Sequence, residues 1–148
     1  MGIENLMSDE LICLDLQATD KKSAINELAD LFEAEQRLKN KKKYIKAVMK
    51  REAESTTGIG MGVAIPHGKS KGVTEPSLAF GRCQSGIDYD SLDGNPVHLM
   101  FLIAVPENSN DEHLKILSQL SRKLMHEEVR EKLLNAQTTD EIYNILGA

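Results

Sequence analysis

The run Val97-His98-Leu99-Met100-Phe101-Leu102-Ile103-Ala104-Val105 is the most apolar in the chain. Its length and its β-branched and aromatic content predict a central strand buried on both faces. The flanking segments are read around that strand. Leu11 to Leu14 is a short apolar run with strand character. Asp20 has the chemistry of an N-cap, and Ile25, Leu28, Ala29 and Phe32 follow at the spacing of an amphipathic helix. Asn40 opens a second helix, whose inner stripe is read as Tyr44, Val48 and Arg51. Helical periodicity then stops between Ala53 and Gly62. Ser55-Thr56-Thr57-Gly58 is turn chemistry, and Gly58, Gly60 and Gly62 free the backbone for close approaches.

Val63-Ala64-Ile65 predicts a short strand ending at Pro66. A polar loop over residues 69–75, a strand from Ser77 to Cys83 and a hairpin or bend from Gly86 to Asp93 lead into the central strand. Ser109-Asn110-Asp111-Glu112 fits a capping box ahead of a long helix reaching about Met125. A shorter helix from Glu128 to Leu134 follows. Thr138-Thr139-Asp140-Glu141 repeats the box before a last helix carrying Ile142, Ile145 and Leu146. Strands and helices interleave, so the fold class is α/β: a single domain over residues 1–148, with a mixed β-sheet flanked by α-helices. The early helix pair breaks strict βαβ order, which is why the sheet is expected to be mixed.

Composition is that of an ordinary soluble domain, 41% hydrophobic and 28% charged with a net charge of −5. Lys and Arg are spread along the chain, which argues against a nucleic-acid platform. The run Lys41-Lys42-Lys43 reads as a solvated first helical turn. Two cysteines, Cys13 and Cys83, have neither disulfide-framework nor metal-ligand spacing and read as buried reduced thiols. No charged-then-apolar start marks a signal peptide, and no run of about 18 apolar residues could span a bilayer. The expected location is cytoplasmic. With no DxDxDG, HExxH or GxxxxGK[ST] pattern, neither a metal nor a nucleotide cofactor is expected.

Three residues are candidates for chemistry. His67 lies between Pro66, which fixes its own φ and biases Ile65 to extended geometry, and Gly68. With an ordinary pKa of about 6.5, a neutral imidazole is an abundant nucleophile near pH 7. The alternative is a histidine in an ordinary tight turn, and local context leaves both readings standing. His113 falls in the first turn of the long helix, in register with Leu117, Leu120 and Leu124. The helix N-terminus favours a neutral ring there. It is either a donor aimed into a cleft or a core histidine satisfied by a carbonyl. Arg51 can hold two phosphoryl oxygens with its planar fork, or serve as a cation at a helix C-terminus. The hydroxyls of Ser55, Thr56 and Thr57 can bind phosphate or build the turn. His98 and His126 read as structural or surface residues.

Arg51-Glu52, Ser55-Thr56-Thr57-Gly58-Ile59-Gly60 and Val63-Ala64-Ile65-Pro66-His67-Gly68 together resemble the type 2 enzyme IIA domains of the bacterial sugar phosphotransferase system. The resemblance continues through Glu112-His113-Leu114. Gly86 to Gly94 and Pro96-Val97-His98 look most like the fructose-specific members. The resemblance implies that His67 is phosphorylated by the phosphocarrier protein HPr, that His113 contacts the phosphoryl group and that Arg51 lies beside it. It also implies onward transfer to a cysteine of an enzyme IIB domain, and from there to sugar entering through a membrane IIC permease. A nitrogen-regulatory member, acting by phosphorylation-dependent protein binding, shares the same chemistry. A histidine metal or hydrolytic module lacks a third ligand at plausible spacing. A sensory domain of a transcription regulator is the remaining alternative.

Overall fold

A computed structural model describes residues 3–109 and 112–147; the side chains of residues 112–114 fall outside that description. Short 3-10 turns at Ile3–Leu6 and Asp9–Leu11 lead into β1 (Ile12–Cys13). Two helices follow, α1 (Lys21–Ala34) and α2 (Lys41–Glu54). Each starts where a side chain caps it: Asp20 accepts from the Ser23 N–H, and Asn40 from the Lys43 N–H. The short strands β2 (Gly58–Gly60), β3 (Val63–Ala64) and β4 (His67–Ser70) come next. Then come the long strands β5 (Ser77–Ile87) and β6 (Val97–Pro106). Helices α3 (Glu112–Leu124), α4 (Glu127–Asn135) and α5 (Thr139–Gly147) complete the order.

The sheet runs β1-β5-β6-β3-β2, with β4 also paired to β6. It is mixed, as expected: β1–β5, β3–β6 and β4–β6 are parallel, while β5–β6 and β2–β3 are antiparallel. β6 is central and sealed on both sides. Met100, Leu102 and Ala104 join the core beneath α1 and α2. Leu99, Phe101, Ile103 and Val105 join the core beneath α3, α4 and α5. That alternation is the two-residue period of a strand with helices on both faces.

Several boundaries differ from the sequence reading. The expected polar loop over residues 69–75 starts later, because β4 runs through Ser70. β5 extends past Cys83 to Ile87, across a shift in register between Arg82 and Ile87. The first capping box lies partly outside the described residues. In the second, the Thr138 hydroxyl accepts from the Glu141 N–H, while the Glu141 carboxylate accepts from Gln137 rather than from Thr138 itself. Both cysteines are free, Cys83 buried and Cys13 partly buried.

Candidate functional site

β3 and β4 are two halves of one lane beside β6. Val63 pairs with Leu99 and His67 with Ile103, so the register keeps a single offset across Ile65 and Pro66. Pro66 has no N–H, yet its carbonyl still accepts from Ile103 N at 3.0 Å. The lane is therefore interrupted without being displaced. His67, for which the sequence left both a strand-end nucleophile and a tight-turn histidine standing, is the first residue of the strand's second half.

Pairing also sets which way His67 faces. Partners across a parallel ladder point to the same side. Ile103 faces the α3 layer, so the imidazole faces that layer too. Gly68 faces α2. A Cβ there would lie 2.7 Å from Val48 Cγ2, 3.1 Å from Val48 N and 3.3 Å from Tyr44 Cε1. Glycine lets α2 lie directly on the strand. Tyr44 completes the seal by donating its hydroxyl to the Ile103 carbonyl at 2.7 Å; burial pushes the Tyr44 hydroxyl pKa well up, so it remains a donor.

The His67 ring is half-buried, and its Nδ1 lies 3.0 Å from the Ile65 carbonyl. A carbonyl oxygen only accepts, so Nδ1 carries the proton in this contact. In the neutral ring Nε2 then holds the lone pair. Ile65 is itself held, its N–H donating to the Thr57 carbonyl at 3.1 Å.

Arg51 lies at the margin of the inner stripe of α2. The buried residue that continues Tyr44 and Val48 is Glu52, while Arg51 is half-buried. At helical spacing both positions border the same stripe, and the direction of the core decides between them. The Arg51 guanidinium donates to the Ser55 carbonyl at 3.0 Å and to its hydroxyl at 3.3 Å. It is thereby tied to the segment that leads to Thr57 and Ile65. His113 falls in α3, on the face of the sheet that His67 faces, and its side chain lies outside the described residues. His98 is structural, its Nδ1 3.0 Å from the Cys83 carbonyl. His126 is exposed ahead of α4. Among the described residues no three His, Cys, Asp or Glu side chains converge as metal ligands would.

Sequence reasoning missed a buried polar cluster behind this segment. Glu52 accepts from the Thr57 N–H at 3.2 Å and from the Thr57 hydroxyl, and pairs with Lys21 Nζ at 3.1 Å. Lys21 also sits 4.7 Å from the centre of the Tyr89 ring. The Tyr89 hydroxyl lies 2.9 Å from Thr57 Oγ1. Glu52 as a carboxylate only accepts, so Thr57 spends its proton there and Tyr89 must be the donor to Thr57. Burial first, then the nearby Glu52 charge, pushes the Tyr89 hydroxyl pKa far up and keeps that donor neutral. The one signal available beforehand was the four-residue spacing of Tyr44, Val48 and Glu52.

Sheet and site together define an α/β domain in which β4 opens on a half-buried imidazole whose Nδ1 meets a backbone carbonyl. The family model for "Phosphoenolpyruvate-dependent sugar phosphotransferase system, EIIA 2" matches residues 5–148. The chain belongs to that family, a class of phosphoryl carriers. It is 44% identical over 138 residues to the "PTS system fructose-specific EIIA component" of Haloferax volcanii, covering 93% of this chain and 90% of that protein. It is 42% identical over 147 residues to the "PTS system fructose-specific EIIABC component" of Bacillus subtilis. That match covers 99% of this chain but spans only 23% of the longer relative. The nitrogen regulatory protein IIA-Ntr of Neisseria meningitidis shares the fold at a TM-score of 0.90 and 36% identity, covering 97% of this chain and 98% of that one. Among the described residues no helix is long and apolar enough to cross a membrane.

Proposed function

We propose that His67 is the residue that carries the phosphoryl group, on Nε2. The observation that carries this reading is the contact of Nδ1 with the Ile65 carbonyl, which turns the Nε2 lone pair away from the backbone. In the proposed reaction that lone pair attacks the phosphorus of a phosphohistidine on HPr. The donor's N–P bond breaks, its electron pair returns to the donor imidazole, and a new N–P bond forms on His67. The second step reverses the roles. A cysteine thiolate of enzyme IIB attacks the phosphorus, and the N–P electron pair returns to Nε2. Charge spread over the equatorial oxygens needs positioned donors. Arg51, the His113 N–H and backbone N–H groups near the glycines are the proposed ones. No metal or nucleotide takes part, because the phosphoramidate donor is already activated.

Partners dock, in this reading, on the apolar rim at the sheet edge. Ile59, Met61 and Leu92 are large apolar residues exposed there by 37%, 49% and 73%. Ile59 lies on β2, beside the strand that leads to His67. The same rim excludes water once a partner is seated, which protects the phosphohistidine from hydrolysis. By analogy with its fructose-specific relatives, the domain works in the cytoplasm, and its phosphate ends on fructose entering through a IIC permease. The domain proposed for this role spans residues 1–148.

Incubation with phosphorylated HPr tests the reading. The wild-type chain should become phosphorylated and lose the group to a fructose-type IIB, and His67→Ala should accept nothing. Acceptance by His67→Ala would overturn it. The likeness to a nitrogen regulatory protein favours a second reading, in which the same phosphohistidine controls binding to a regulatory target. That reading requires acceptance from HPr without onward transfer to any sugar-specific IIB.

A further inference from the structure

We propose that Glu52 is a positioning residue for His67: its buried carboxylate sets the tautomer and orientation of the imidazole through Thr57 and Ile65. The inference rests on His67 being the phosphoryl acceptor, and it concerns how that ring is kept ready.

The path is continuous. Glu52 is only 6% exposed and grips Thr57 at two points, the backbone N–H and the hydroxyl. Thr57 so held presents its carbonyl to Ile65 N at 3.1 Å. Ile65 in turn presents its carbonyl to His67 Nδ1 at 3.0 Å. Turning the Thr57–Gly58 peptide, which carries that carbonyl and whose N–H donates to Thr56 Oγ1 at 3.1 Å, would release Ile65, and the imidazole would lose the acceptor that keeps its proton on Nδ1.

The sheet holds these peptides through few backbone bonds. Pairing of β2 with β3 loses its regular register between Gly58 and Gly60, so the regular ladder that reaches the Thr57–Ile65 bond is only the Gly58–Ala64 pair long. On the other side, Pro66 removes the donor that would have tied down the next peptide. The Glu52 cluster adds two side-chain bonds to Thr57 where the ladder is short.

Stability does not by itself call for a charge here. A carboxylate withdrawn from water is costly, and well-packed apolar groups often serve a fold as well or better. This carboxylate is instead fully engaged. Lys21 offsets its charge from the first turn of α1, and Tyr89 donates to the hydroxyl that donates to it. The result is a hydrogen-bond chain with one direction, Tyr89 to Thr57 to Glu52. A glutamine would put an amide N–H₂ toward either Thr57 or Lys21 and break that direction while keeping nearly the same volume.

The experiment compares wild type with Glu52→Gln by ¹⁵N spectroscopy of the His67 ring and by acceptance kinetics from phosphorylated HPr. Wild type should show a protonated Nδ1 and an unprotonated Nε2. In Glu52→Gln the two ring signals should move toward each other as tautomers mix. Acceptance should slow by roughly tenfold to a hundredfold, the scale on which small misplacements act, with the donor KM unchanged. Wild-type ring signals in folded Glu52→Gln would overturn the proposal, and so would shifted signals with an unchanged rate. Should Glu52→Gln fail to fold, Thr57→Val against Thr57→Ser decides. Ser should keep the wild-type ring pattern and Val should lose it; a wild-type pattern in both would again overturn the proposal. If wild type accepts no phosphate at all, the functional reading fails, while the ring spectra still report whether Glu52 sets the tautomer.

Discussion

β6 and β4 are neighbours in one sheet, in parallel register, yet they are built for different ends. From Leu99 to Val105 every side chain of β6 is buried, with a core on each face. β4 is sealed on one face only: Gly68 and Ser70 are buried toward α2, while His67 is half-buried and Lys69 is exposed. Among the described residues β4 pairs only with β6, so its outer edge is open. A strand covered on both faces can offer stability and little else. A strand clamped on one face can hold a reactive group steady and still present it to a partner.

Substitutions can break or sharpen this contrast. The largest loss should come from the central strand. Phe101 is fully buried and packs on Phe80 at 5.1 Å between ring centroids. Phe101→Ala should therefore cost about 4 kcal/mol in denaturant unfolding. Next is the clamped face of β4. Gly68→Ala sets a methyl against Val48 and should cost about 2 kcal/mol by overpacking. If that variant were as stable as wild type, α2 would not be clamping β4. Tyr44→Phe removes the bond to the buried Ile103 carbonyl and should cost about 1.5 kcal/mol. On the open face, His67→Ala should change stability by less than about 1 kcal/mol while abolishing phosphoryl acceptance. A large stability loss there would mean that His67 is part of the core and not a presented group.

The smallest effect concerns acid. Backbone N–H groups of Asn95 and Met61 donate to Asp93 and hold its carboxyl below the usual carboxylate range. A lowered folded-state pKa contributes stability above the unfolded value, and that contribution is lost as pH falls through the folded pKa. The Met61 and Asn95 amide resonances should therefore titrate together at acid pH, with the global fold intact. Independent titration of the two would separate β2 from the loop that carries Leu92.

Much of this was legible beforehand because it depends on local rules. The capping residues Asp20 and Asn40 announced α1 and α2, and the apolar run announced β6. The stretch from Arg51 to Gly68 announced the family. What was missed depended on partners distant in the chain. Residues 69 and 70 look polar and loop-like because Lys69 stands on the uncovered face and the buried Ser70 hydroxyl accepts from the Gly72 N–H of the following turn; only pairing with Val105 and Pro106 makes them a strand. Arg51 and Glu52 border the same helical stripe, and only the placement of the sheet turned Glu52 inward. Lys21 and Tyr89 stand 31 and 37 residues from Glu52 on either side, and no spacing rule connects them.

The sequence by itself determined the α/β class, the central strand, the helix starts and the candidate histidine, because capping, periodicity and apolar runs act over a few residues. Only the tertiary structure decided which nitrogen of His67 is left with the lone pair, which face of the sheet the ring addresses and what holds it there. Those properties depend on a parallel register with Ile103, on a carbonyl turned by the Thr57 segment and on a buried α2 carboxylate that meets Lys21 of α1 and Thr57. None of them is a property of a window of chain; they exist only once separate segments share one low-dielectric interior, where a buried polar group must find its partner.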